Sequence, residues 1–379
     1  MHIAMLSEGD AERWDGAFSG IAKGFVDQLR AHGHTVTTLD CDVFGWQRMA
    51  LAARTVRPRR IAWKAQFHFG TAAFAARSRS AAHGLRSTTP DLLFQYGATF
   101  APPRVGAPYV LYCDWNMALS MDEAPPDLSE IHALPLDERQ SIRAREGEIY
   151  QRAAAIFTIS ERLRRAFIEE YKLPPDRVHT VYPGANFDTS ALPKRPARTP
   201  DHRPTILFVG KQFVRKGGDL LLDVFANIRR ELPGARLLIA GPARLGVEAP
   251  GVEVLGSLSK SNPSENRRLL EAYASADVFC LPTRYDPFPS VVREAMYFAL
   301  PCVTTDIWAM TEMVTDGVTG FTVALDDRTA LTTRLLDLLR NSELAFRLGQ
   351  AGQRKAIEKF SWSTSGARLD QLLRQIVTK

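Results

Sequence analysis

Short apolar or β-branched runs alternate with longer helical patterns along this chain, and the alternation begins twice. In the first half the runs are "HIAMLS" (2–7), "TVTTLD" (35–40), "DLLFQYG" (91–97), "YVLYCD" (109–114), "AAIFTIS" (154–160) and "VHTVYP" (178–183). Between the first two lies "SGIAKGFVDQLRAHG", with apolar residues at helical spacing and Gly33 as a stop. Strand, helix and strand at this spacing make a parallel crossover unit. A polar stretch with four prolines, "TSALPKRPARTPDHRP" (189–204), has little to bury and reads as a linker. The pattern then restarts with "TILFVG" (205–210), the helix "GDLLLDVFANIRREL" (218–232), "ARLLIAG" (235–241), "VEVLGS" (252–257), "ADVFCLPT" (276–283), "PCVTTD" (301–306) and "GFTVAL" (320–325). Their continuous apolar character suits a sheet covered on both faces. A chain of 379 residues also exceeds what one hydrophobic core usually serves. The expectation is therefore α/β: two doubly wound Rossmann-like domains, 1–188 and 205–360, facing across a cleft, with a final helix over 361–379 returning to the first domain.

Several classes drop out. No apolar stretch approaches the roughly 18–20 residues that span a bilayer, and "MHIAMLSEGD" lacks the basic and apolar regions of a secretory leader. Cytoplasmic residence is the default expectation. Four cysteines lie far apart without a C-x-x-C pair, and Cys113, Cys280 and Cys302 sit in apolar runs as small core residues. A net charge of +6 fits anionic partners. The densest basic cluster is "RTVRPRRIAWK", Arg54 to Lys64. It suits a solvated basic loop or a peripheral contact with an anionic membrane at its inner face. No reader motif accompanies the charge, so nucleic acid is not expected.

Open parallel sheets bind ligands beyond the carboxyl ends of their strands, so the residues just past each strand end are the candidates for chemistry. After "TILFVG" comes "KQFVRKGG", where Gly210 and the Gly217-Gly218 pair flank Lys211, Arg215 and Lys216 just before a helix. Helix-start amides with cations beside them favour a diphosphate, although such clusters also occur on ordinary surface loops. After "ADVFCLPT" comes "RYDPFPSVVREAM", which places Asp286 at a strand end and Glu294 in the first turn of a helix capped by Ser290. Glu294 reads either as a plain helix-start acid or as a bidentate acceptor for the vicinal hydroxyls of a ribose. Asp286 would then accept hydroxyls of a sugar. In the first half Ser19 and Gly20 precede a helix, and Gly20 permits close approach of a phosphate or sugar. Neither G-x-G-x-x-G nor a P-loop is present.

With these loops in hand, the chain resembles the retaining GT-B glycosyltransferases of the large sucrose-synthase and mannosyltransferase-like group, glycosyltransferase family 4. The blocks that carry the resemblance are "FVGKQFVRKGGDLLLDVF", "ARLLIAG", "SADVFCLPTRYDPFPSVVREAMYFALPCVTTD" and "EMVTDGVTGFTV", with "AAAIFTISERLRRAF" and "VYPGANFD" in the first half. The resemblance implies a GT-B fold and transfer of a hexose from a nucleoside-diphosphate sugar to an acceptor hydroxyl, without a metal or other cofactor. It implies that Lys211 and Lys216 meet the donor diphosphate, and that Glu294 holds the nucleotide ribose. Asp286 falls on the first acid of the family's two-glutamate motif, toward the donor sugar. Gly20, Gly210, Gly217 and the backbone from Phe288 through Pro289 and Ser290 to Val291 would line the donor.

Three positions depart from the family pattern. Asp286 is one methylene shorter than glutamate, and Pro289 replaces the usual glycine and has no N–H. Cys113 and Asp114 stand where many members carry a histidine, which leaves Asp114 and Ser19 as sugar or acceptor contacts. These departures keep two other readings open, a non-catalytic nucleotide-sugar-binding subunit and a GT-B sugar-nucleotide epimerase. Residues 9–18, 45–85 and 115–140 match no readable pattern. Within the last of these, "MDEAPPDLSEIHALPLDERQ" reads as an acidic loop.

Overall fold

All twelve apolar runs hydrogen-bond as strands in the computed structural model of this chain. The structure describes every residue except 15, 87, 190, 191, 195–200, 243–248 and 379, and omits the side chains of 18 and 19. One sheet contains β1 (His2–Ser7), β2 (Thr35–Asp40), β3 (Leu92–Tyr96), β4 (Tyr109–Cys113), β5 (Ala155–Thr158) and β6 (Val178–Thr180). A second contains β7 (Thr205–Val209), β8 (Arg236–Ala240), β9 (Val252–Gly256), β10 (Val278–Leu281), β11 (Cys302–Thr305) and β12 (Gly320–Val323). Their orders are β2-β1-β3-β4-β5-β6 and β12-β11-β10-β7-β8-β9, parallel throughout. Strands β3, β5, β7, β10 and β11 are buried at every residue, which is why they read as unbroken apolar runs. The edge strands β2 and β9 keep polar residues that face water.

The chain divides into two compact units, Met1–Pro183 with Trp362–Lys379, and Gly184–Ser361. The linker expected over 189–204 lies in large part outside the described residues. The last helix, Trp362–Val377, packs on the helix Ile21–Ala31 of the first unit. Gly24 makes room for it, since a Cβ there would lie 2.1 Å from the Trp362 indole. The Trp362 ring meets Phe25 edge-on at 5.2 Å, and the buried His34 side chain bonds Asp370 at 2.6 Å.

Two stretches without a sequence pattern turn out to be helical. Residues 45–84 contain the helices Gly45–Arg54, Arg60–Phe69 and Thr71–Gly84, so the basic cluster is a loop only over 55–59, with a helix on either side. None of the three has a side-chain N-cap bond, which removes the usual start signal. The acidic stretch read as a loop, 121–140, contains the end of the helix Met117–Glu123, the short turn Glu130–Ala133 and the start of Leu136–Arg152.

Glu146, buried on that last helix, anchors the first. Its Oε2 accepts the Met117 N–H at 3.0 Å and the Tyr171 hydroxyl at 3.0 Å, and the Tyr171 oxygen accepts the Ala118 N–H at 3.3 Å. Asn116 caps the same helix by accepting from the Leu119 N–H at 2.8 Å.

Burial pushes the Glu146 carboxyl up to about 7, against the smaller opposing pull of the Met117 and Tyr171 donors. A raised carboxyl contributes stability below its ordinary value of 4.5, and that contribution is lost as pH rises through about 7. Glu146→Gln should therefore flatten the fall in Tm between about pH 4.5 and 7, measured by calorimetry across a pH series. An unchanged slope would remove Glu146 as its source.

Candidate functional site

In the second sheet β7 is flanked by β8 on one side and β10 on the other, so chain direction across the sheet reverses there. A crevice opens at the carboxyl ends of strands at such a switch point. Two turns border it, 210–217 after β7 and 282–289 after β10. They are laced together tightly. The Arg284 N–H and the Thr283 hydroxyl both donate to the Arg215 carbonyl, at 2.9 and 3.3 Å. The Arg284 guanidinium donates to the Val214 carbonyl and pairs with Asp219, both at 2.7 Å. Gly217 has φ +73°, and a Cβ there would sit 1.9 Å from the Pro282 carbonyl oxygen. The missing side chain is what lets the two backbones approach this closely.

Across this junction Lys216 Nζ pairs with Asp286 Oδ2 at 2.9 Å, and the Arg215 guanidinium lies 3.8 Å from the same oxygen. The Lys216 and Asp286 side chains are only 14% and 12% exposed. Gly210 clears the path of the lysine, because a Cβ would come within 2.5 Å of Lys216 Cδ. Lys211 is exposed and makes no ion pair among the described residues. The amides of Lys216, Gly217 and Gly218 donate to the carbonyls of Gln212, Val214 and Phe213. The expectation that the glycine amides face an anion is thus corrected: the turn uses them itself, and its side chains carry the positive charge.

The next helix, Ser290–Tyr297, begins at Ser290 with Pro289 in the cap position and no side-chain cap bond, so Ser290 caps nothing. The amides of Ser290 and Val291 are the orphan donors of that helix start. Phe288 turns inward, its ring 4.9 Å from the Arg293 guanidinium and 6.0 Å from the Phe360 ring. Glu294 is fully buried and not an open acid. Its Oε1 pairs with Lys260 and its Oε2 accepts the Tyr273 hydroxyl at 3.0 Å. Each oxygen retains a further acceptor lone pair. Burial alone would raise this carboxyl, but Lys260, Tyr273 and Arg293 together hold it below its ordinary value.

Lys260 lies in the turn after β9 and Tyr273 near the end of the helix Pro263–Ser275. Neither carries a motif, and only the fold brings them to Glu294. In the first unit Gly20 adopts φ +89° just before the helix Ile21–Ala31, where a Cβ would meet the Trp14 carbonyl at 2.4 Å. The Ser19 side chain is outside the described residues. Asp114 follows β4 and is half-buried.

Comparison with known proteins meets this geometry from another side. Residues 22–189 match the family described as Glycosyltransferase Family 4, and residues 203–341 match Glycosyl transferases group 1. The chain belongs to glycosyltransferase family 4. The alpha-maltose-1-phosphate synthase of Mycobacterium tuberculosis is 30% identical to this family-4 chain over 236 residues, 56% of this chain and 60% of that protein. The D-inositol 3-phosphate glycosyltransferase of Xylanimonas cellulosilytica is 28% identical over 265 residues, 65% of this chain and 61% of its own length. The matched regions therefore span less than two thirds of either relative.

Among solved structures, sucrose-phosphate synthase from Thermosynechococcus elongatus superposes with a TM-score of 0.74 at 18% identity, covering 100% of this chain and 99% of its own. Anabaena HepE in complex with UDP-glucose gives a TM-score of 0.64 at 15% identity, covering 99% and 100%. The fold of the family-4 chain is the two-domain, Rossmann-like GT-B fold.

The Lys260–Glu294 pair can be tested through stability. A depressed carboxyl contributes stability above its ordinary value of 4.5 and loses it as pH falls through the folded value. In Lys260→Met burial is opposed by Tyr273 and Arg293 alone, so the carboxyl should move up. The variant should be less stable near neutral pH by about 3 kcal/mol. That deficit should shrink as pH falls toward 4.5, followed by thermal denaturation. A deficit independent of pH would break the assignment.

Proposed function

We propose that this protein is a glycosyltransferase that moves a hexose from a nucleoside-diphosphate sugar to an acceptor hydroxyl, retaining the configuration at the anomeric carbon and using no metal ion. The observation that carries the reading is the Lys216–Asp286 pair at the switch point, with Glu294 one helix turn beyond. The family assignment and the names of the relatives support it.

In this reading Lys216 and the exposed Lys211 neutralise the charge that grows on the leaving diphosphate as the anomeric C–O bond breaks. The acceptor oxygen bonds the same face of the sugar, and its proton passes to the departing phosphate oxygen. Asp286 exchanges Lys216 for hydroxyls of the donor sugar, which frees the ammonium for the diphosphate. Glu294 takes ribose hydroxyls on the lone pairs that Lys260 and Tyr273 leave open.

Preorganised charge aimed at a developing anion is worth about 3–4 kcal/mol per key group. Lys216→Ala should lower kcat by at least about tenfold, measured with a saturating donor. Glu294→Gln should mainly raise the donor KM, since ribose contacts are alike in ground and transition states. A loss of kcat at unchanged KM would exclude the ribose role.

Thermal-shift titration with nucleoside diphosphates and their sugars tests the class as a whole. A ligand at roughly 100 times its Kd should stabilise the fold by about 2.7 kcal/mol. No shift with any of them would end this reading. One observation favours a second one, a nucleotide-sugar-binding subunit without turnover: Asp286 already neutralises Lys216. Hydrolysis of the bound donor in the absence of acceptor would decide for the transferase.

A further inference from the structure

Residues 44–64 of the first unit carry an outward face that its own core does not use. The helices Gly45–Arg54 and Arg60–Phe69 each fully bury one residue, Leu51 and Ala65. Leu51 packs with Val43 and Ala73, and Ala65 packs with Met117 and Ile131. Phe44, Trp46, Met49, Val56, Ile61 and Trp63 are all exposed, Trp46 at 72% and Met49 at 69%. These six are among fifteen exposed large apolar side chains in the described residues, so they form a concentration rather than the usual scatter. The Trp63 indole N–H donates to the Ala52 carbonyl at 3.1 Å, which ties the two helices together.

Charge within this stretch of the chain has one sign. Between Phe44 and Lys64 there are six arginines and lysines and no acid. Arg48, Arg57 and Lys64 pair with acids outside the stretch, Asp42, Glu138 and Glu130. Arg54, Arg59 and Arg60 are exposed and make no ion pair among the described residues.

We infer that residues 44–64 form a surface that docks on an anionic lipid bilayer, with Trp46 and Met49 entering the headgroup layer and Arg54, Arg59 and Arg60 reaching lipid phosphates. Tryptophan beside arginine on a short amphipathic helix suits the interface between water and acyl chains. Each unpaired arginine adds electrostatic attraction to an anionic leaflet. A second copy of this chain fits the face poorly, because a twofold contact would bring the same arginines against one another. No helix among the described residues is long and apolar enough to cross a membrane, so the contact is peripheral.

The test is co-sedimentation of the whole protein with phosphatidylcholine vesicles and with vesicles of phosphatidylcholine mixed with phosphatidylglycerol. Binding should be confined to the anionic vesicles and should weaken with salt. Arg54→Gln, Arg59→Gln and Arg60→Gln combined should reduce it on the order of a hundredfold. Trp46→Ser with Met49→Ser should also release the protein. All five side chains are exposed, so thermal melts of both variants should match the parent. Brominated acyl chains should quench tryptophan emission in the parent and less in Trp46→Phe.

Absence of binding to anionic vesicles, or equal binding by the parent and both variants, overturns the proposal. So does self-association without lipid that Trp46→Ser abolishes. Binding of soluble polyglutamate as tight as that of anionic vesicles would identify an acidic polypeptide partner instead.

Discussion

With no side chain at Gly217, the turn after β7 lies directly against the Pro282 carbonyl at the end of β10. This contact sets the distance across the switch point, and the site depends on it. At that separation the Arg284 backbone and the Thr283 hydroxyl reach the Arg215 carbonyl, and the Lys216 ammonium reaches Asp286. A bulkier residue at Gly217 or Gly210 would push the two turns apart or turn the lysine aside.

Charges in both units are kept inside only where partners come with them. Glu294 lies between Lys260 and Tyr273, Asp286 faces Lys216, and the fully buried Arg77 pairs with Glu8 at 2.9 Å and Asp42 at 3.4 Å. An unpaired charge at such depth costs several kcal/mol, whereas a paired and hydrogen-bonded one is tolerated. Glu146 shows the other outcome. It has hydrogen-bond donors around it and Arg145 nearby but, among the described residues, no hydrogen-bonded cation, and burial drives its carboxyl up to about 7. The two buried glutamates shift in opposite directions because one has an ammonium within bonding reach and the other has hydroxyls and an amide.

The two ends of the chemistry are built on different terms. The switch-point residues lie in the turns after two buried strands and at a helix start with Pro289 in the cap position. The face over residues 44–64 belongs to helices that begin without side-chain caps and hold the core by Leu51, Ala65 and a few neighbours. An arrangement of that kind leaves large apolar side chains pointing outward at no cost to the interior.

Twelve strands and the crossover helices after β1 and β7 could be read directly from the chain, because a parallel strand buried on both faces is an unbroken apolar run and Gly33 marks a helix stop. Lys211, Lys216, Asp286 and Glu294 were also legible, since each comes after a recognisable strand at a fixed offset. The helices between residues 45 and 84 were not, for want of capping residues at Phe44, Arg59 and Gly70. Nor was the pairing of Lys260 with Glu294, 34 positions apart, or of Lys216 with Asp286, 70 apart. Periodicity and capping act over a few residues, so local order is written where it occurs. Which charges meet depends on strand order in the sheet, and that order is settled only when the whole core closes.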